Sequence, residues 1–202
     1  MDEIFIKGDC IANMIGITID PQALLIYGTV LLLISRSIIL YKNKKDGSEI
    51  CIKQELIIIL FGIYILGLIG VTLLPIDIMW NNVNDMYKPD PIVNLVPFAQ
   101  LGFNKGVSMR IILINVIGNL FLLVPMNIFL NLLFHNKFKK INNVILTGLI
   151  ISTSIELLQY IEMYFGLVYS RASDITDIIL NTLGFIVGHV LFIKNCDALF
   201  SD

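Results

Sequence analysis

Charged residues are scarce in this chain, and their scarcity is the first constraint on what the protein is. Asp, Glu, Lys and Arg make up only 15% of the residues, whereas 56% are hydrophobic, and the mean hydropathy is +0.83. A soluble domain carries about 25% charged and about 45–50% apolar residues. The composition therefore excludes an ordinary water-soluble domain and indicates an integral membrane protein.

Metal-ligating residues are equally few. The cysteines are Cys10, Cys51 and Cys196, without a C-x-x-C pair, and the histidines are His135 and His189, which are far apart in the sequence. These spacings match no zinc motif, so we expect no metal site and no other cofactor. The topology predicted below places Cys10 on the opposite side of the membrane from the other cysteines. We therefore expect no structural disulfide.

Long apolar runs, by contrast, recur along the chain, and a membrane-spanning helix needs about 20 mostly apolar residues. Five segments qualify: Pro21–Tyr41, Gln54–Leu74, Ser108–Phe134, Val144–Phe165 and Asp174–Ile193. Pro125 lies well inside the third segment and predicts a kink there, because proline removes a helical hydrogen bond. We predict an all-α, polytopic integral membrane helical bundle of about five transmembrane helices.

Basic residues predict the orientation of this bundle. The links after the first and third spans and the final tail carry most of the lysines: Lys42, Lys44, Lys45, Lys53, Lys137, Lys139, Lys140 and Lys194. Basic links favour the cytoplasmic side, so the N-terminus is predicted outside and the C-terminus in the cytoplasm. These lysines are orientation signals, and we expect no nucleic-acid partner. Residues 1–202 are predicted to form a single domain, with 1–20 as a leader or interfacial segment and 76–107 as an extracellular loop.

Polar side chains inside the last two spans form the most informative pattern. Three share one face of the fourth span: Ser152, Glu156 and Gln159. Five positions share one face of the fifth span: Asp174, Asp177, Asn181, Gly184 and Gly188. A charged side chain in the hydrocarbon costs at least roughly 2.5–3.5 kcal/mol on insertion scales. We therefore expect the two polar stripes to face each other or a wet cavity.

The third span extends this pattern. Asn115 and Asn119 share a face, and at about 1.5 Å per residue they lie in the outer half of the membrane, as Glu156 and Asp177 do. Asn94 precedes them in the predicted extracellular loop. The convergence predicts a polar pocket, open to the extracellular side and lined by the third, fourth and fifth spans.

Ordinary structural roles compete with this interpretation. Asp174 could be the N-cap of the fifth span, and Asn115 and Asn119 could be hydrogen-bonding contacts between helices. Gly184 and Gly188 form a G-x-x-x-G pair, whose most direct role is close helix packing.

Arg171 is the cation that the sequence offers to the buried carboxylates. It lies in the turn between the last two spans, where pairing with Glu156 or Asp174 could be purely structural. Glu156 has the weakest structural explanation, because a carboxylate within the membrane must be protonated, paired or wetted.

Four motifs, taken in order, resemble the VanZ-like family of bacterial membrane proteins. They are NLVPF at 94–98, N-x-x-G-N-L-x-L-L-x-P at 115–125, S-x-x-x-E-x-x-Q at 152–159 and R-x-x-D-I-x-D-x-x-x-N-x-x-G at 171–184. Met126 and Asn127 depart from the expected leucine–glycine pair. The resemblance implies a multi-pass protein of the bacterial plasma membrane, and the namesake of the family is linked to low-level resistance to the glycopeptide teicoplanin. The motif match carries over the positions Asn94, Asn115, Asn119, Glu156, Gln159, Arg171, Asp174, Asp177 and Asn181.

The leading hypothesis is a cell-envelope protein whose outward-facing pocket binds the headgroup of an envelope lipid, a lipid-linked cell-wall intermediate or a lipoglycopeptide. Six residues are the predicted substrate-binding positions: Asn94, Asn115, Asn119, Gln159, Asp174 and Asn181. Arg171 suits a phosphate or carboxylate because its guanidinium presents a planar fork of donors.

The alternative is a membrane enzyme acting on a lipid-linked headgroup. Glu156 would be the general base, Arg171 would stabilise developing charge, and Asp177, with Asp174, could hold a divalent cation. Ion-coupled transport and a structural partner in an envelope complex are further options, and the oligomeric state is left open.

Overall fold

The computed structural model describes residues 16–47, 49–79, 90–98, 108–134, 138, 140–168 and 171–199. The helices are α1 (Pro21–Lys45), α2 (Ile52–Thr72), α3 (Met109–Leu122), α4 (Val124–Phe134), α5 (Ile141–Tyr164) and α6 (Ile175–Leu199). The strands are β1 (Gly16–Ile19), β2 (Ile76–Met79), β3 (Val93–Asn94) and β4 (Ser173–Asp174). Five helical segments, with α3 and α4 counted as one, are long and apolar enough to cross a membrane. The predicted five-span helical bundle is confirmed, and its orientation stays a prediction.

The break between α3 and α4 confirms the kink predicted at Pro125. The helix is interrupted at Leu123, and the Tyr64 side chain of α2 occupies the interruption. The Tyr64 hydroxyl donates to the Leu122 carbonyl at 2.8 Å and accepts from the backbone N–H of Met126. Tyr64 therefore bridges two backbone groups that an unbroken helix would join directly, which compensates for the break inside an apolar bundle.

Helix α6 is the centre of the bundle, because α3, α4 and α5 all pack against it. A Cβ atom on Gly184 would overlap the Leu120 carbonyl oxygen, and one on Gly188 would overlap that of Val124. The G-x-x-x-G pair therefore packs α6 directly against the backbone of α3 and α4, as predicted. On the α5 side, the fully buried Phe185 lies against Gly148.

Helices α1 and α2 form an outer hairpin that reaches the rest of the bundle through α4. The guanidinium of Arg36 pairs with the Glu55 carboxylate, with nitrogen–oxygen distances of 2.5 and 3.2 Å. Both side chains are only 18% exposed, and both lie inside predicted apolar spans. The pair neutralises two charges between α1 and α2, near the lysine-rich link that joins them.

The short strands are an addition to the predicted helical bundle. β1 pairs antiparallel with β2, and Thr18 donates to Asp77 at 2.7 Å. Within the predicted leader or interfacial segment, Gly16–Ile19 forms a strand, and residues 1–15 lie outside the described residues, so that assignment stays a prediction. A four-residue strand depends on a partner 59 residues away, as Thr18 and Asp77 illustrate, so local periodicity gave no signal for it. Of the predicted loop 76–107, the structure describes 76–79 and 90–98.

Replacing Gly184 with alanine is expected to lower the melting temperature in detergent. The new methyl group would overlap the Leu120 carbonyl oxygen, an overpacking that costs about 1–3 kcal/mol and exceeds the gain in helix propensity of up to about 1 kcal/mol. Gly67→Ala is the matched control, since nothing lies within 4 Å of a Cβ atom there. Thermal unfolding monitored by size exclusion would compare the two variants, and equal melting temperatures would contradict the packing role.

Candidate functional site

The NLVPF segment is hydrogen-bonded to the start of α6. β3 pairs in parallel with β4, with Asn94 opposite Asp174, and the Ser173 N–H donates to the Ile92 carbonyl at 3.0 Å. The Asn94 side chain donates to the Asp174 carboxylate at 3.4 Å. The first and last of the recognised motifs therefore meet in space, although 80 positions separate these two residues.

Asp174 caps α6 and is itself held by α5. One of its carboxylate oxygens accepts from the Thr176 N–H at 2.7 Å, which is an N-cap interaction and supports the structural role considered for it. The Asp174 N–H donates to the Glu156 carboxylate at 2.8 Å, and the Ser173 side chain hydrogen-bonds to the same carboxylate. Glu156, 3% exposed, thus binds the segment that leads into α6.

Asp177 joins this group from the first turn of α6. Its carboxylate accepts a hydrogen bond from the Asn119 amide of α3, which agrees with the hydrogen-bonding role considered for Asn119. We call Glu156, Asp174 and Asp177 the carboxyl cluster. The three carboxyl groups lie close enough to interact through their charges: Asp177 with Glu156, and Asp174 with both of the others. The predicted convergence of the third, fourth and fifth spans is therefore present in the fold.

Asn181 lies four residues beyond Asp177 on the same predicted helix face. It is 1% exposed, and its side-chain oxygen finds no hydrogen-bond partner among the described residues. Ser152, fully buried, donates to the Ile178 carbonyl at 3.1 Å and thereby links α5 to α6. Asn115 is exposed on α3, one turn before Asn119.

Arg171 does not pair with Glu156 or Asp174 as expected. Its guanidinium donates to the Thr72 carbonyl, to the Leu74 carbonyl at 2.6 Å and to the Glu162 carboxylate at 3.4 Å. The guanidinium therefore caps the C-terminal end of α2, where the last carbonyl groups have no helical partner. The predicted pairing was wrong because backbone acceptors carry no signature in the sequence.

Gln159 serves the same helix end rather than the carboxyl cluster. Its side-chain amide donates to the Thr72 carbonyl at 2.9 Å, beside the contact made by Arg171. Glu162 was not among the candidate residues, although its position three residues after Gln159 places both on one helix face. We call Arg171, Gln159 and Glu162 the α2 clamp.

Thr176 is a site residue that sequence reasoning missed. Its hydroxyl accepts from the Phe98 N–H at 2.9 Å, so it anchors the far end of the NLVPF segment. Phe98 has a φ of 61°, which is unusual for a residue other than glycine. Only its position inside the last motif could have drawn attention to Thr176.

The chemistry of the carboxyl cluster is that of a hydrogen-bond acceptor. The described donors to it are neutral: the amides of Asn94 and Asn119, the Ser173 hydroxyl and the backbone N–H groups of Asp174 and Thr176. Within the described part of the chain, no group of three His, Cys, Asp or Glu side chains is arranged to hold a metal ion.

Arg171→Lys is expected to lower the melting temperature, because one ammonium group cannot reproduce the fork that serves two carbonyls and a carboxylate. Hydrogen bonds to charged groups contribute about 1.5–3 kcal/mol each. Arg110→Lys, at an exposed position of α3, is the matched control. Thermal unfolding in detergent gives the melting temperatures of both variants. An unchanged melting temperature of Arg171→Lys would contradict the stabilising role of the α2 clamp.

Comparison with known proteins agrees with the arrangement of the motifs. The family model described as VanZ/LLP1 matches residues 61–200, which include α3 to α6, the carboxyl cluster and the α2 clamp. No curated protein and no solved structure matches the chain. The matched residues make up most of the chain, and this multi-pass membrane protein therefore belongs to the VanZ/LLP1 family.

Proposed function

We propose that this VanZ/LLP1 protein acts in the bacterial plasma membrane by binding an amphiphile whose headgroup carries amine or hydroxyl donors. In doing so it would contribute to resistance against glycopeptides such as teicoplanin. The observation that carries the proposal is an excess of acceptors at the start of α6. The three carboxyl groups meet only neutral described donors, and the side-chain oxygen of Asn181 meets no donor among the described residues.

An excess of acceptors favours a ligand that donates hydrogen bonds. A protonated amine would gain both charge attraction and charge-assisted hydrogen bonds from Asp174 and Asp177. A phosphate would instead meet like charge, because the nearby guanidinium of Arg171 is occupied by α2 and Glu162. Arg171 is therefore not expected to select a phosphate or carboxylate, in contrast to the prediction from the sequence.

The position of the cluster favours an amphiphile over a small aqueous solute. Glu156, Asp177 and Asn181 lie within helices that are apolar enough to span a membrane. Ionisable groups at such depth mark a site for a ligand or an ion more often than a structural contact. A lipid-linked cell-wall intermediate or a lipoglycopeptide combines a membrane anchor with a headgroup rich in donors.

The contacts favour binding over catalysis. A general base must reach the proton that it abstracts, whereas Glu156 is buried and holds the Asp174 N–H at the start of α6. The residue assigned to stabilise charge, Arg171, is bonded to the end of α2. The enzymatic alternative therefore lacks a described cation for its transition state.

Asp177→Asn tests the proposal, because it removes a charge and leaves the size of the side chain and a bond to Asn119 possible. The purified protein in lipid nanodiscs would be titrated with teicoplanin. Losing one charge-assisted hydrogen bond, worth about 1.5–3 kcal/mol, is expected to weaken binding roughly 10- to 100-fold. A host that expresses Asp177→Asn should likewise be more susceptible to teicoplanin than one that expresses the wild type.

Asp77→Asn is the matched control. Asp77 lies in β2, bonds to Thr18 and is outside the carboxyl cluster, so its variant should bind as the wild type does. Equal teicoplanin affinity of the wild type, Asp177→Asn and Asp77→Asn, with all three folded, would refute the proposed ligand.

A further inference from the structure

The contacts of the glycine pair set the level of α6 against α3. α6 runs parallel to α3 and α4, since Gly184 meets Leu120 and Gly188 meets Val124. Asp177 lies seven residues before Gly184 and is therefore level with Leu113, so α3 continues only from Leu113 back to Met109 beyond this level. At 1.5 Å per residue, α3 extends about 6 Å past Asp177.

α5 extends past the cluster in the same direction. It runs antiparallel to α6, because Glu156 meets Asp174 whereas the earlier residue Gly148 meets Phe185. Eight further residues follow Glu156 before α5 ends at Tyr164, a distance of about 12 Å. The start of α6 is therefore recessed beside the taller α5, whereas α3 begins at nearly the same level as α6.

The parts of α3 and α5 around this level carry exposed apolar side chains, beside the exposed Arg110 and Asn115 of α3. The exposed apolar side chains include Ile111, Ile114, Leu157, Leu158 and Ile161. Membrane-spanning helices expose such side chains to lipid rather than to water. The hydrocarbon layer thus reaches the level of the first turn of α6 on the outside of the bundle.

The NLVPF segment lies at the recessed level. Both of its ends are bonded there, through Ile92 to Ser173 and through Phe98 to Thr176. These bonds satisfy backbone groups that would be costly to leave free in a bilayer. Its side chains point outward instead, since Leu95 is 72% and Val96 66% exposed.

We infer that Ile92–Phe98 is a re-entrant segment whose apolar side chains contact the acyl chains of the surrounding leaflet. The segment was expected in an extracellular loop, whereas its bonds to α6 place it level with the first turn of a membrane-spanning helix. The occupant of its exposed face is lipid, because the same leaflet covers α3 and α5 on either side. A ligand already anchored in that leaflet could then reach the carboxyl cluster laterally, a consequence that rests on the proposed function.

Fluorescence quenching tests the depth of the segment. Trp80 is the only tryptophan in the chain, so Leu95→Trp in a Trp80→Phe background provides one reporter. The full chain would be reconstituted in phosphatidylcholine vesicles with either ordinary or brominated acyl chains. We expect brominated chains to quench Leu95→Trp as strongly as they quench Leu149→Trp, an exposed position in the middle of α5.

Quenching by iodide in the aqueous phase measures the exposure of the same reporter to water. Ile50→Trp, in the link between α1 and α2, is the water-exposed control, and Leu95→Trp should be far less sensitive to iodide than this control. Val96→Trp gives a second reporter if Leu95→Trp does not fold. Quenching of both reporters by iodide to the level of Ile50→Trp, without quenching by brominated chains, would overturn the inference.

The two proposals fail separately. An indole in water at position 95 or 96, together with weakened teicoplanin binding by Asp177→Asn, would refute the re-entrant segment alone. An indole in lipid, together with unchanged teicoplanin binding by Asp177→Asn, would refute the proposed function alone.

Discussion

The hydrogen bond from the Asp174 N–H to the buried Glu156 carboxylate is the contact on which the site depends. It fixes the start of α6 against α5, and the other contacts are arranged around that fixed point. Asp174 then caps the helix and accepts from Asn94, while Asp177 accepts from Asn119. A single buried acceptor thus aligns three elements, because an unpaired carboxylate or an uncapped helix end would be costly within the membrane.

Two polar groups with different tasks lie near the ends of these helices. In the α2 clamp, Gln159 and Arg171 donate to the terminal carbonyls of α2, and the charge of Arg171 is paired with that of Glu162. The donors and charges of the clamp are therefore engaged within the fold. The carboxyl cluster keeps acceptors in excess, including the Asn181 oxygen, which has no partner among the described residues. One family motif, R-x-x-D-I-x-D, therefore contains both a residue that holds the end of α2 and residues of the carboxyl cluster.

Close backbone packing makes this arrangement possible. Gly184 and Gly188 allow α6 to approach the carbonyl groups of Leu120 and Val124, which brings Asn119 within reach of Asp177. The same contacts set the level of α6 relative to α3, so the start of α6 is recessed only beside α5, which extends past Asp174. The NLVPF segment fills part of that recess and covers the helix end with its own backbone.

Much of the architecture could be predicted without coordinates. The five spans follow from the length of the apolar runs, the break from Pro125 and the tight helix contact from the spacing of Gly184 and Gly188. The meeting of Glu156, Asp174 and Asp177 also followed from helical periodicity, because side chains three and four residues apart share a face. The short strands and the partners of Arg171 and Gln159 escaped prediction.

Sequence by itself determined where the helices run and which polar residues share a helix face, since both properties are local. Only the tertiary structure decided which acceptor each donor takes. Arg171 bonds to Thr72 and Leu74, and Phe98 bonds to Thr176, through backbone groups that every residue possesses. Such backbone groups become hydrogen-bond partners only when distant segments are brought together, so the spacing of residue types cannot predict these bonds.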